Sequence, residues 1–312
     1  MQGDLPASSG GTGDVKEEIA RVQQAMAEQG YVTDRATATS AYLALTLHKP
    51  LLIEGPPGVG KTEVAKVLAR VLATDLIRLQ CYEGLDVATA LYEWNYAKQL
   101  LHIKLGEGSG QSVGEREAQI FSEAFLLERP LLRAIRATQT TVLLIDEVDR
   151  SDEEFEAFLL EVLSEHQVTI PEIGTIRATN EPCTVLTSNR TRELSEALRR
   201  RCLYLWIDYP SLSKEIEIVR AKVPVIDQQL AADVAAFVQA VRRQRLVKTP
   251  GVAETIDWAR ALVVIGANTL DDDVVSETLG CVLKDEADVR QIRREVSDRG
   301  ASAMVAAGRT AG

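Results

Sequence analysis

One run has residue types and spacing suited to gripping phosphate: Gly55-Pro56-Pro57-Gly58-Val59-Gly60-Lys61-Thr62, a full match to G-x-x-x-x-G-K-[ST]. Glycines let backbone N–H groups converge on phosphate oxygens where a side chain would collide. A helix opening at the end of the loop adds partial positive charge. Lys61 then supplies a full charge to the β- and γ-phosphates, and Thr62 offers a hydroxyl to Mg2+. The run follows the apolar residues Leu51, Leu52 and Ile53 and precedes a helical pattern (Val64, Val67, Leu68, Val71), the strand–loop–helix context that the motif requires. These residues predict a site for ATP with Mg2+.

A second constellation closes another apolar run: Val142-Leu143-Leu144-Ile145-Asp146-Glu147. In a parallel sheet, ligands gather at the carboxyl ends of strands, which places Asp146 beside the phosphate loop. Asp146 is expected to hold Mg2+, directly or through water, and Glu147 to act as general base on the attacking water. A third run, Cys183 to Thr187 followed by Ser188 and Asn189, ends in an asparagine suited to orienting that water, although asparagine also commonly forms turns. Arg199, Arg200 and Arg201 follow. A guanidinium reaching a neighbour's γ-phosphate would stabilise charge developing in transfer. Taken alone, the arginine run reads better as a solvated surface run just before the last strand.

The elements that must hold these residues alternate. Strands are expected at 51–53, 76–80, 142–145, 183–187 and 203–207, with helices between them, so a parallel sheet covered on both faces is predicted. Helices at about 15–29 and 34–47 precede the first strand. Residues 81–115 break the rhythm with Tyr92, Trp94, Tyr96 and a glycine-rich stretch, and read as an insertion projecting from the core. Residues 168–178, with Pro171 and Gly174, read as a hairpin. After Pro210 the periodicity is helical throughout, predicting a separate all-helical domain over 210–298. Residues 1–14 are expected to be a disordered tail, 15–209 the α/β domain, and 299–312, rich in Gly and Ala, a loose tail.

Composition narrows the function classes. A net charge of −11 disfavours nucleic acid as a partner, and there is no basic stripe. Four scattered cysteines fit neither a zinc ribbon nor a disulfide scaffold and suggest a reducing cytoplasm. No apolar run is long enough for a transmembrane segment, although peripheral membrane association stays open. His48, His102 and His166 look unclustered, and Asp271-Asp272-Asp273 reads as a helix cap and first turn.

Together these features resemble the AAA+ ATPases: an α/β P-loop core with a five-stranded parallel sheet between helices, followed by an all-α lid. The resemblance implies that Asn189 is the sensor-1 residue, Arg201 the arginine finger with Arg200 the next candidate, and Tyr31-Val32 part of the adenine pocket. The segment 81–115 and the hairpin 168–178 look like those of the MoxR group. Tyr82-Glu83-Gly84-Leu85-Asp86, Leu91-Tyr92-Glu93-Trp94-Asn95-Tyr96 and residues 186–194 look like CoxD. That implies a homo-oligomeric ring, typically a hexamer. It also implies a partner carrying a von Willebrand A domain and a client metalloenzyme, a molybdenum-containing carbon monoxide dehydrogenase or related hydroxylase. One departure is plain: residues 249–255, at the sensor-2 position, hold no arginine, and Lys248 is the nearest cation. Two other readings remain open, a nucleotide-switched binding scaffold and a nucleic-acid motor or loader.

Overall fold

The computed structural model describes residues 12–105 and 113–310. Two helices, α1 (Thr12–Glu28) and α2 (Arg35–Leu47), precede β1 (Leu51–Glu54) and α3 (Lys61–Val71). Then come β2 (Leu76–Gln80), α4 (Val87–Leu91), β3 (Tyr92–Trp94), α5 (Tyr96–Leu105), α6 (Val113–Ile120) and β4 (Leu126–Glu128). The chain continues through α7 (Pro130–Ile135), β5 (Val142–Asp146), α8 (Glu153–Glu165), β6 (Gln167–Ile170), β7 (Gly174–Arg177), β8 (Cys183–Ser188), α9 (Glu196–Arg201) and β9 (Leu203–Trp206). Six helices follow: α10 (Leu212–Lys222), α11 (Gln228–Arg242), α12 (Val252–Val264), α13 (Asp272–Val282), α14 (Glu286–Arg299) and α15 (Ala301–Arg309).

Five strands form one sheet in the order β2-β5-β8-β1-β9. The pairs β2/β5, β5/β8 and β1/β8 are parallel. Every residue of β1 and β5 is buried, as expected for strands with both faces covered. Leu143, Ile145, Leu186, Leu79 and Leu52 share a core with Phe155, Leu159 and Val162 of α8. The parallel register brings Glu54 level with Ser188, and Gln80 level with Asp146, so the polar strand ends lie along one edge of the sheet.

By contacts the chain divides into two units that are not contiguous in sequence. One contains Arg35–Glu54 and Ala65–Leu205 together with the chain up to Val22; it holds the sheet. The other contains Gln23–Asp34, Gly55–Val64 and Trp206 onward. The phosphate loop therefore groups with the C-terminal helices rather than with the sheet from which it springs. The helical unit has its own core, centred on Trp258 and Phe237, whose rings lie 5.2 Å apart.

Three expectations need correction. Residues 12–14, expected in the disordered tail, belong to α1, because extending an existing helix by a turn costs little once its nucleus is formed. The rest of that expected tail, 1–11, lies outside the described residues, as do 106–112 of the glycine-rich stretch and 311–312. Residues 301–309 of the expected loose tail form α15, which packs on α11. Small side chains allow that approach: a Cβ on Gly308 would sit 1.8 Å from the Ala236 carbonyl oxygen.

The insertion also differs from expectation. It runs past 115 to β4, which pairs antiparallel with β3, Tyr92 opposite Glu128. It does not simply project, since Leu85, Ala90 and Leu91 join the main core. Trp94 is buried edge-to-face against Tyr92 and Phe121 at 5.9 and 5.4 Å, whereas Tyr96 is exposed. The hairpin over β6 and β7 forms as the turn residues suggest. Asp271 caps α13 by accepting the Val274 N–H at 2.9 Å. Among the described residues no helix is long and apolar enough to cross a membrane.

Candidate functional site

Within the helical unit, Lys61 opens α3 and is almost fully buried. Its Nζ donates to the carbonyls of Gly55 and Pro56, both at 2.7 Å, which bends the side chain back over the loop. Gly60 has φ 95°, and a Cβ there would meet nothing within 4 Å. Gly60 thus combines open space with a backbone conformation that glycine adopts cheaply. Thr62 is half-buried in the first turn of α3. Tyr31 and Val32 follow Gly30 in the same unit, both half-buried. Burial, and then the charges of Asp34 and Glu63, push the Tyr31 phenol well above its ordinary range. Those acids are paired in turn: Asp34 with Lys214 at 2.8 Å and Glu63 with Lys222 at 3.6 Å.

Within the sheet unit, the end of β5 is fixed by its neighbours. Asp146 is buried, its Oδ1 accepting from Thr187 Oγ1 at 2.6 Å. Its Oδ2 accepts from Arg78 through Nε at 3.0 Å and Nη2 at 2.5 Å. Glu147 sits in the left-handed region at φ 54°, a conformation that costs a non-glycine residue about 1–2 kcal/mol. Its N–H donates to the same Thr187 Oγ1 at 2.9 Å, so the hydroxyl helps to offset that strain. The Glu147 carboxylate is half-buried, and its Oε2 accepts from Gln80 Nε2 at 3.2 Å. The exposed Arg150 lies 3.3 Å from that oxygen.

Asn189 reaches this edge through β8. Its N–H donates to Asp149 Oδ2 at 3.2 Å, and Thr191 donates to the same oxygen through N–H and Oγ1, both at 2.8 Å. Asp149 is thereby the buried peg on which the loop after β8 hangs. Glu147 and Asn189 line a common cleft of about 710 Å3, with Asp149, Asp152, Glu153 and Glu83 contributing acids and Arg150 and Arg192 cations. Glu147 and Asn189 therefore share one cleft, which Asp146 does not line. A half-buried carboxylate lining such a cleft can polarise water. Among the described residues no group of three or more His, Cys, Asp or Glu side chains could hold a metal ion.

The arginines lie at the end of α9, where cations favour the helix dipole. Arg201 donates Nε to Ser164 Oγ at 2.6 Å and Nη1 to the Ala197 carbonyl at 3.1 Å. Arg200 is exposed and pairs with Glu196. Neither lines the acidic cleft.

Sequence reasoning missed four residues. Thr187 and Arg78 are tied to Asp146 only through strand neighbours. Gln80 holds Glu147 for the same reason. Glu54, the last residue of β1, is buried and accepts from Ser188 Oγ at 3.3 Å and Tyr204 OH at 3.0 Å, with Arg190 and Arg199 at 3.7 and 3.8 Å. A carboxylate ending an apolar strand was its only signal. The histidines also need correction: His48 and His166, expected to be unclustered, both face Glu181 Oε2, at 3.4 and 3.8 Å.

Comparison with known proteins extends this. An uncharacterized protein of Staphylococcus epidermidis strain RP62A is 22% identical over 237 residues, 74% of this chain and 82% of that protein. One from Staphylococcus aureus strain RF122 is 26% identical over 183 residues, 57% of this chain and 62% of that protein. Among solved structures, the Thermotoga maritima RuvB Holliday junction branch migration motor is similar at 20% identity, covering 92% of this chain and 76% of that one, with a TM-score of 0.43. Residues 50–202 match the family model described as AAA domain (dynein-related subfamily).

Proposed function

We propose that the protein binds and hydrolyses ATP. The observation that carries this reading is the Asp146–Thr187–Glu147 arrangement at the end of β5, in the segment matching the AAA domain model, which also carries the loop ending in Lys61 and Thr62. In this reading the loop N–H groups and Lys61 hold the phosphates, Lys61 exchanging its two carbonyl contacts for phosphate oxygens. Tyr31 and Val32 flank the adenine. Thr62 and Asp146 hold Mg2+, which neutralises phosphate charge when bound. Glu147 takes a proton from water as its oxygen attacks the γ-phosphorus and the bond to the ADP oxygen breaks, and Asn189 orients that water. Arg201, or Arg200, acts on the nucleotide of a neighbouring subunit; Arg201 must first leave Ser164.

The finer reading is a MoxR-type, CoxD-like ATPase that works as a cytoplasmic ring, a hexamer, with a von Willebrand A domain partner. It would remodel a molybdenum hydroxylase during metal-centre maturation. The insertion with its buried Trp94, the β6/β7 hairpin and the quoted CoxD-like runs support it. A second reading is favoured by one observation: no arginine stands at the start of α12. A nucleotide-switched scaffold would bind partners with ATP yet turn over negligibly.

The test is ATP binding and phosphate release by the wild type and Lys61→Ala, with partner capture in ATP, in ADP and without nucleotide. Binding and turnover lost in Lys61→Ala support the ATPase. ATP-dependent capture without turnover in the wild type favours the scaffold. Wild-type turnover in Lys61→Ala would exclude the mechanism.

A further inference from the structure

The first turn of an α-helix leaves N–H groups that need acceptors. In α12 they find them in the phosphate loop. Val252 and Ala253 both donate to the Gly58 carbonyl, at 2.9 and 3.2 Å, while the Gly251 N–H goes to Glu254 Oε2 at 2.9 Å. The approach is close enough to require glycine: a Cβ on Gly251 would lie 2.8 Å from Gly58 Cα and 2.9 Å from the Pro57 carbonyl oxygen. The lid helix thus grips the loop backbone directly. Lys248 does not take part; it is exposed, and its N–H and that of Val247 are held by the buried Asp288 at 2.9 and 2.8 Å.

The start of α12 is located by a buried ion pair on the neighbouring helices. Arg242 of α11 forms two parallel bonds with Glu215 of α10, both at 2.7 Å, and both side chains are nearly or wholly buried. The remaining bonds converge on α12. Arg242 Nε donates to the Pro250 carbonyl at 2.7 Å, and Nη2 to Thr255 Oγ1 at 3.1 Å; Thr255 in turn donates to Glu215 Oε1 at 2.8 Å. Gln239 completes Glu215 at 2.7 Å, and the Tyr209 ring lies 4.8 Å from the guanidinium. Buried ion pairs contribute little net stability compared with apolar packing of the same volume. This one has a geometric consequence instead: it fixes the residue before Gly251 and the third residue after Val252.

We propose that Arg242, held by Glu215, is the positioning residue that couples the helical region to the phosphate loop. It does so through the backbone of α12. This rests on the reading that the loop holds ATP. The coupling acts on nucleotide affinity, because Gly58 is part of the loop whose N–H groups are proposed to hold phosphate, and not on the carboxylates proposed for hydrolysis.

Two full-length variants test it. Arg242→Lys keeps the charge but loses the planar fork. Gly251→Ala leaves the ion pair intact and wedges α12 from the loop. Amide hydrogen exchange without nucleotide, melting temperature, and KM and kcat for ATP are measured for each. The expected result is roughly tenfold faster exchange at Val252 and Ala253 and a KM roughly tenfold higher, with kcat within about twofold. A purely structural pair would lower the melting temperature and leave both readouts at wild-type values; that result in both variants overturns the proposal. Should Arg242→Lys not fold, Thr255→Val, which removes the hydroxyl linking the ion pair to α12, decides by the same criteria. Should the wild type not bind ATP, the ATPase reading fails, and the exchange data still decide whether Arg242 positions α12.

Discussion

Thr187 Oγ1 donates to Asp146 Oδ1 at 2.6 Å, and the same oxygen accepts the Glu147 N–H at 2.9 Å. One hydroxyl on β8 therefore orients the carboxylate proposed for Mg2+ and the backbone carrying the proposed base. The parallel β5/β8 register makes this possible by setting Leu186 beside Ile145, one residue short of both groups.

Thr187→Val keeps the shape of the side chain and removes the hydroxyl. It leaves the Glu147 N–H without its acceptor at a strained φ, at a cost of about 1–3 kcal/mol. Denaturant unfolding should show that loss. Steady-state kinetics should show kcat falling much more than KM changes, because the loop that holds nucleotide is intact. Equal stability and equal kcat would remove Thr187 from the account.

The thiols make alkaline stability a readout of burial. Burial raises Cys81 from 9.0 to about 12, with the nearby charges of Asp146, Asp149 and Glu147 adding to it. Burial also raises Cys183 and Cys202 to about 12. A group whose folded pKa lies above its unfolded value binds its proton more tightly when folded. Its contribution is complete below about pH 9 and is lost as pH rises toward 12. The melting temperature should therefore fall between pH 9 and 11. Cys81→Ala should flatten that slope, and an unchanged slope would contradict the assigned burial.

Gly308 tests the docking of α15. A Cβ there meets the Ala236 carbonyl at 1.8 Å, a backbone atom that cannot step aside. Gly308→Ala should destabilise the helical unit by about 1–3 kcal/mol. Limited proteolysis should cut within 299–310 faster than in the wild type. Wild-type resistance would mean that α15 does not pack as described.

What was legible in the sequence follows from how locally each signal is written. The phosphate loop and β5 are continuous runs whose pattern needs no distant residue, so roles for Lys61, Asp146 and Glu147 could be proposed directly. Thr187, Arg78, Gln80 and Glu54 matter only through strand neighbours, and sheet order is not written within any one of those runs. β4 has three residues and a strand-forming role only opposite Tyr92–Trp94, so the end of the insertion was misplaced. Residues 301–309 were misread because Ala and Gly signal looseness in a chain without partners and close packing in a helix beside α11. The contact of α12 with the phosphate loop requires Gly251, which carries no side-chain signal at all.

The most direct test of the account is phosphate release by the wild type and Glu147→Gln at saturating ATP and Mg2+, alongside equilibrium ATP binding. The wild type should turn over ATP, and Glu147→Gln should bind with wild-type affinity while release falls by about 100-fold or more. Wild-type release rates in Glu147→Gln would contradict the account.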